Sequence, residues 1–198
     1  MQKARTVGVI LAGGRATRMS GKDKALLPLA GKSLLAHVVA QLRPQVDRLA
    51  LNSNAPSTSY SCFDLPLLAD LMPDYPGPLA GIHAGLTRYP DDYVVTVAVD
   101  LPRLPPDLVA RLRAAVDGYR CAYASDGRRH ALAILWAPGN ADLVGRYLEQ
   151  GGRRIQDFLA RHGTAVCFDR PRDRGLFLNI NTPEDLQHAE QTLAAEES

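Results

Sequence analysis

Cysteine is scarce. Cys62, Cys121 and Cys167 are odd in number and far apart in a chain of 198 residues. Their spacing excludes a disulfide framework and a C-x-x-C metal site and leaves three reduced thiols. Long apolar runs are lacking too, none approaching the roughly 18 residues that a membrane-spanning helix needs. Excess charge is also lacking: the formal net charge is +2, with 23 Lys and Arg against 21 Asp and Glu. That balance argues against a nonspecific nucleic-acid binder and leaves room for a local basic pocket, so small anions are the expected partners, with no nucleic acid and no membrane. The opening residues, Met1-Gln2-Lys3-Ala4-Arg5-Thr6, carry no apolar signal region, and a cytoplasmic location is expected. No H-E-x-x-H or Ser-His-Asp arrangement is evident, which leaves the chain without a recognisable covalent nucleophile.

What is present suits a packed protein. Hydrophobic residues make up 46% and charged residues 22%, ordinary values for a globular chain with a substantial core, and one domain over residues 1–198 is expected. Apolar β-type runs at Val7 to Leu11, Leu49 to Leu51, Leu67 to Ala69 and Tyr93 to Val99 alternate with helical patterns. Leu34, Leu35, Val38, Val39 and Leu42 recur at helical spacing until Pro44, and Pro78 opens a second helix through Leu86. A third follows Pro105-Pro106-Asp107. Cys121 to Ala124 and Ala131 to Trp136 read as strands around the turn Ser125-Asp126-Gly127. Ala141 to Gln150 and Ile155 to Arg161 fit short helices, and Thr182-Pro183-Glu184-Asp185 starts a terminal one, with a frayed tail from Ala194. The expected fold is α/β, a Rossmann-like, mostly parallel sheet with flanking helices.

Chemistry concentrates after the first run. Gly13 and Gly14 lack Cβ, so backbone N–H groups there can approach a phosphate closely. Arg18 can fork onto two phosphate oxygens, while Lys24 is a mobile point charge. The plain alternative is a glycine turn with solvated cations. A Walker A loop is excluded by counting: Leu26 stands where Gly31-Lys32-Ser33 needs its first glycine, and Ala16 where Gly21-Lys22 needs one. No G-x-G-x-x-G follows the strand either.

In open α/β sheets ligands sit beyond the carboxyl ends of strands. Gly13, Asn52, Asp70 and Asp100 all follow apolar β runs. Asp100 ends Val94 to Val99 before Pro102 turns the chain, and it is the expected ligand of Mg²⁺, a hard cation that would bridge phosphate oxygens. The competing reading is a capping aspartate. Asn52 and Asp70 have the donors and acceptors to read a base or ribose, and turn formation explains them equally well from local sequence.

The stretch Leu11 to Leu26, Leu-Ala-Gly-Gly-x-x-x-Arg-Met-x-Gly-x-Asp-Lys-x-Leu, resembles the signature of nucleotidyltransferases, specifically the MobA-type molybdenum cofactor guanylyltransferases. Gly31-Lys32-Ser33-Leu34, Asp74-Tyr75-Pro76-Gly77-Pro78-Leu79-Ala80-Gly81, Asp100-Leu101-Pro102 and Asn179-Ile180-Asn181-Thr182-Pro183 extend the likeness from about Val7 to Leu186. The resemblance implies the nucleotide-diphospho-sugar transferase-like fold and transfer of GMP from GTP to the terminal phosphate of Mo-molybdopterin. It implies GTP contacts at Leu11, Ala12, Gly13, Lys24, Asn52, Asp70 and Asp100. Catalysis would fall to Arg18, Lys24 and Asp100 with Mg²⁺. Arg153, Arg154, Asn179 and Asn181 resemble the family's pterin pocket, near which His130 is expected, although a solvated helix start explains the two arginines as well. Other molybdenum cofactor biosynthesis proteins and recipient molybdoenzymes or their chaperones are the implied protein partners.

Related enzymes that use CTP tend to carry Leu-Ala-Ala-Gly at the opening loop, and Gly13 in that third position favours GTP. Ser20, Ser33, Val99 and Ala131 depart from the family's usual glycine, proline, cysteine and proline. A molybdopterin cytidylyltransferase, a sugar-phosphate nucleotidylyltransferase and a non-catalytic nucleotide-binding protein remain as alternatives.

Overall fold

A computed structural model describes residues 4–13, 18–19, 22–72, 77–127, 129–173 and 175–196. Gly14 of the expected cradle and Asp74 to Pro76 lie outside the described residues, as do the side chains of Arg18 and His130.

The first apolar run forms β1 (Thr6–Leu11), buried along nearly its whole length. Two short pieces, β2 (Arg18–Met19) and β3 (Lys22–Asp23), then pair antiparallel. Asp23 caps a 3-10 turn, Lys24–Leu26, by accepting from the Ala25 amide at 3.0 Å. A tight hairpin follows, β4 (Pro28–Leu29) against β5 (Lys32–Ser33). Its two linking residues, Ala30 at φ 47° and Gly31 at φ 79°, take the paired left-handed conformations of the two-residue turn that matches strand twist. Ser33 caps α1 (Leu34–Leu42), whose Leu34, Leu35, Val38 and Leu42 are buried. The 3-10 turn Arg43–Gln45 contains Pro44 and ends it.

The chain returns through β6 (Arg48–Asn52), a 3-10 segment (Ser57–Phe63) and β7 (Leu67–Leu68). Helix α2 (Pro78–Arg88) starts at Gly77, whose φ of 131° only glycine adopts readily, with proline at the first helical position. Then come β8 (Tyr93–Ala98), α3 (Leu108–Ala115), the antiparallel hairpin of β9 (Cys121–Ser125) and β10 (Arg129–Trp136), α4 (Ala141–Glu149), α5 (Ile155–His162), β11 (Gly163–Cys167) and α6 (Pro183–Glu196). Each expected helix is present, and α6 continues through Glu196.

Seven strands form one sheet in the order β11-β9-β10-β8-β1-β6-β7. All run the same way except β10, which is antiparallel to both its neighbours. Side-chain alternation splits the core. Ile10, Leu51, Val95 and Val97 pack with α1, α3 and Ala189 of α6, whereas Val7, Val9, Leu11 and Trp136 pack with α2, α4 and α5. Trp136 donates to Thr96 Oγ1 at 3.0 Å, so the one indole in the chain is buried without a polar debt. Among the described residues no helix is long and apolar enough to cross a membrane.

The edge strand β11 was not visible in the sequence. Its residues are mostly half-exposed or exposed, so no apolar run marks it, and its partner β9 supplies the register. Beyond it, Phe168 packs edge-on against Phe177 and lies under the Arg111 guanidinium, which bonds Asp173 Oδ2 at 3.0 Å. Burial alone would raise the Asp173 carboxyl, but the hydrogen bond and charge of Arg111 override it and hold the group below the usual carboxylate range. Removing Asp173 takes from Arg111 its nearest carboxylate and leaves Asp107 at 3.7 Å, so Asp173→Ala is expected to lose about 2 kcal/mol in urea unfolding at pH 7. Because the folded value lies below the unfolded one, that contribution is complete above about pH 4 and disappears as pH falls through the folded value. The stability curves of variant and parent therefore converge in acid.

Candidate active site

The parallel strands bring their following loops to one edge. β1 lies between β8 and β6, and its continuation binds both: Val99 N–H donates to Leu11 O at 3.0 Å, and Ala12 N–H donates to Asn52 O at 2.9 Å. Gly13 therefore stands between the ends of β6 and β8. Polar residues gather on each side of it.

On the β8 side, Lys24 is only 5% exposed. Its Nζ lies 2.9 Å from Asp100 Oδ2 and 3.0 Å from Asn181 Oδ1, joining segments 76 and 157 residues away in sequence. Asp100 Oδ1 is buried and has no hydrogen-bond partner among the described residues. A carboxylate oxygen withdrawn from water and left unpaired is costly unless something positive meets it. Asn181 is held in turn by Asp185, whose carboxylate accepts from the Asn181 and Thr182 amides at 2.8 and 2.9 Å, while Thr182 Oγ1 accepts from the Asp185 amide at 3.1 Å. Those two backbone amides, with the Lys24 charge adding less, hold the Asp185 carboxyl below its ordinary range. The reciprocal bonds form the capping box that starts α6.

On the β6 side, Asn52 is buried and donates from Nδ2 to Leu68 O at 3.0 Å and to Asp70 Oδ1 at 2.9 Å. Asn54 donates to the other carboxylate oxygen at 2.8 Å and accepts from the Asp70 amide at 2.9 Å. Asp70 is thus clamped by two amides and keeps lone pairs for a ligand. The start of α2 comes close: a Cβ on Gly81 would stand 2.0 Å from Asn52 Oδ1, and one on Gly13 3.3 Å from the same atom. Such closeness suits a backbone approaching a ligand-reading side chain, with an α2 N-terminus nearby.

A glycine after β1, a lysine–aspartate pair at the end of β8 and an amide–carboxylate cluster at the end of β6 thus meet at one edge of the sheet. A model described as the MobA-like NTP transferase domain matches residues 8–166. The chain belongs to this family. It is 42% identical over 197 residues to the molybdenum cofactor guanylyltransferase of Mesorhizobium japonicum, spanning 94% of this chain and 95% of that one. It is 41% identical over 189 residues to that of Cupriavidus necator, spanning 91% and 94%. Among solved structures, molybdopterin-guanine dinucleotide biosynthesis protein A from Archaeoglobus fulgidus matches with a TM-score of 0.76 at 26% identity, over 96% of this chain and 99% of that chain.

Within this MobA-like chain the sequence candidates separate into groups. Leu11, Ala12 and Gly13 meet Asn52 and Asp70 on one side, and Lys24 meets Asp100 and Asn181 on the other. The structure joins Asn181 to Lys24 through its amide, a contact that its two-residue spacing from Asn179 does not announce. Asn179 itself is exposed. Arg153 and Arg154 reach the same edge of the sheet, because α4 climbs from the end of β10 and α5 descends to β11. The Arg153 guanidinium donates to Leu148 O at 2.9 Å and Gly152 O at 2.8 Å, closing the end of α4. Arg154 is exposed at the start of α5. Asn54 and Asp185 were missed. The alternation Asn52-x-Asn54 and the T-x-x-D cap were the available signals.

An alanine at a helical glycine ordinarily stabilises by about 1 kcal/mol. At Gly81 the added methyl would displace the Asn52 amide and break its bond to Asp70. Gly81→Ala is therefore expected to lower the melting temperature, reversing the usual sign.

Proposed function

We propose that the protein is a Mg²⁺-dependent molybdenum cofactor guanylyltransferase. An oxygen of the terminal phosphate of Mo-molybdopterin attacks the α-phosphorus of GTP, the bond from α-phosphorus to the bridging oxygen breaks, and pyrophosphate leaves with that oxygen. The observation that carries this reading is the buried Lys24 ammonium on Asp100 Oδ2, with Asp100 Oδ1 unpaired beside it.

An acceptor phosphate and a triphosphate repel one another. Two like charges about 4 Å apart cost about 4 kcal/mol at an effective dielectric of 20. A carboxylate at that position adds repulsion unless cations neutralise it, so Asp100 makes sense only beside Lys24 and a metal. The buried, unpartnered Oδ1 is the hard oxygen donor that Mg²⁺ prefers. When bound, Mg²⁺ supplies charge neutralisation at the phosphate oxygens. Lys24 turns its ammonium to the phosphates while Asn181 accepts one of its hydrogens and fixes its direction. The backbone after β1, from Leu11 to Gly13, lies against the triphosphate, and Arg18 adds a forked cation. No proton needs to move: the attacking phosphate is already an anion, so the protein's task is to position and neutralise.

Asn52 and Asp70 read the base. Asp70 accepts from the N1 and N2 hydrogens of guanine, which cytosine does not offer in that arrangement. Arg153, Arg154, Asn179 and Asn181 are assigned to the pterin phosphate, a reading that the exposed Arg154 and Asn179 side chains at this edge support. Other cofactor-assembly proteins and recipient molybdoenzymes or their chaperones complete the partners, and the cytoplasm is where this reading places the chain.

Purified protein with Mg²⁺ and Mo-molybdopterin is expected to release pyrophosphate from GTP and not from CTP. Release from CTP alone would move the specificity to a cytidylyltransferase. Lys24→Ala is expected to lower kcat by about 10²- to 10³-fold, as loss of one preorganised charge-stabilising group does elsewhere. A Lys24→Ala variant at the parental rate would remove the role assigned here.

A further inference from the structure

Asp23 uses both carboxylate oxygens. Oδ1 caps the turn that carries Lys24, and Oδ2 accepts the Tyr60 hydroxyl at 2.5 Å across 37 residues of sequence. Tyr60 is 5% exposed, and its ring belongs to the core beneath α1. Its oxygen also lies 3.3 Å from Ser53 Oγ, which accepts from the Ala55 amide at 3.1 Å. A carboxylate only accepts, so Tyr60 gives its single hydroxyl hydrogen to Asp23 and Ser53 donates to Tyr60. The result is a directed chain, Ser53 to Tyr60 to Asp23. Ser53 sits between the base-reading Asn52 and Asn54, and Asp23 precedes Lys24. One buried hydroxyl thereby joins the two halves of the site. Burial, and then the hydrogen bond to Asp23, push Tyr60 up to about 12, so it remains a donor at neutral pH.

We propose that Tyr60 is a positioning residue for guanylyl transfer: through Asp23 it fixes the turn that aims the Lys24 ammonium, and through Ser53 it ties that turn to the base-reading loop. This inference rests on the transfer reading above. Lys24 acts on charge that develops during transfer, so loosening its turn affects kcat more than ground-state binding.

Tyr60→Phe keeps the ring in the core and removes only the hydroxyl; Asp23→Ala breaks the same link from the half-exposed side, and the cap of the Lys24 turn with it, without disturbing the core. In the pyrophosphate-release assay with Mg²⁺, GTP and Mo-molybdopterin, each variant is expected to lower kcat about tenfold while KM for GTP stays within about twofold. The double variant is expected to be no slower than the worse single one, because both cut one link. Parental kcat in Tyr60→Phe, a loss confined to KM, or single effects that multiply in the double variant would each overturn the proposal. If Tyr60→Phe fails to fold, Asp23→Ala at the parental kcat overturns it as well. Failure of the unsubstituted protein to release pyrophosphate would instead sink the transfer reading and, with it, this inference.

Discussion

A buried ammonium cannot stand alone, and the 5% exposure of Lys24 makes its partners obligatory. Leaving such a charge unpaired costs several kcal/mol. Asp100 meets that need from the middle of the chain and Asn181 from near its end, so the segment after β11 has to return to the end of β8. It does so by running beside the loop that follows Asp100: Ile180 N–H donates to Asp100 O at 3.0 Å and Phe177 N–H to Arg103 O at 2.9 Å. Phe177 takes φ of 58°, a strained conformation for a bulky side chain, and is buried against Phe168. Packing holds the strain where the chain must turn towards the site.

The loop after β8 is rigid for a different reason. Pro102, Pro105 and Pro106 offer no N–H, so the loop cannot satisfy itself as a helix or strand would. A glutamine in the last turn of α1 and one in the 3-10 turn that follows do it instead. Gln41 donates to Pro102 O and accepts from Leu104 N–H, each at 2.5 Å, and Gln45 donates to Pro105 O at 3.0 Å and accepts from Val109 N–H at 3.1 Å. Their amides replace the missing backbone ladder and fix the carboxylate of Asp100 to the α1 side of the core. The β6 side is built otherwise, from reciprocal amide–carboxylate bonds among Asn52, Asn54 and Asp70. Those bonds hold Asp70 in place and leave acceptor capacity free.

Much of this was legible in the chain. The runs at Val7 to Leu11 and Tyr93 to Val99 identify central strands because strands buried on both faces need continuous apolar sequence. Pro44, Pro78 and Thr182-Pro183 mark helix ends because proline lacks an N–H and threonine supplies an oxygen. The strand-end rule likewise brings forward Gly13, Asn52, Asp70 and Asp100. The strand β11 escaped because an edge strand with half-exposed side chains leaves no apolar signature. Tyr60 escaped because a tyrosine in a polar loop says nothing about which carboxylate its hydroxyl will meet.

The sequence by itself determined the central strands and the helices, and which side chains stand at their ends, since both follow from local periodicity and from groups that start or stop backbone hydrogen bonding. Only the tertiary structure decided that Lys24 lies between Asp100 and Asn181 and that Asn54 joins Asn52 on Asp70. Those pairings cross tens of residues, and their energy comes from desolvating charge and amide groups together, which no local pattern encodes.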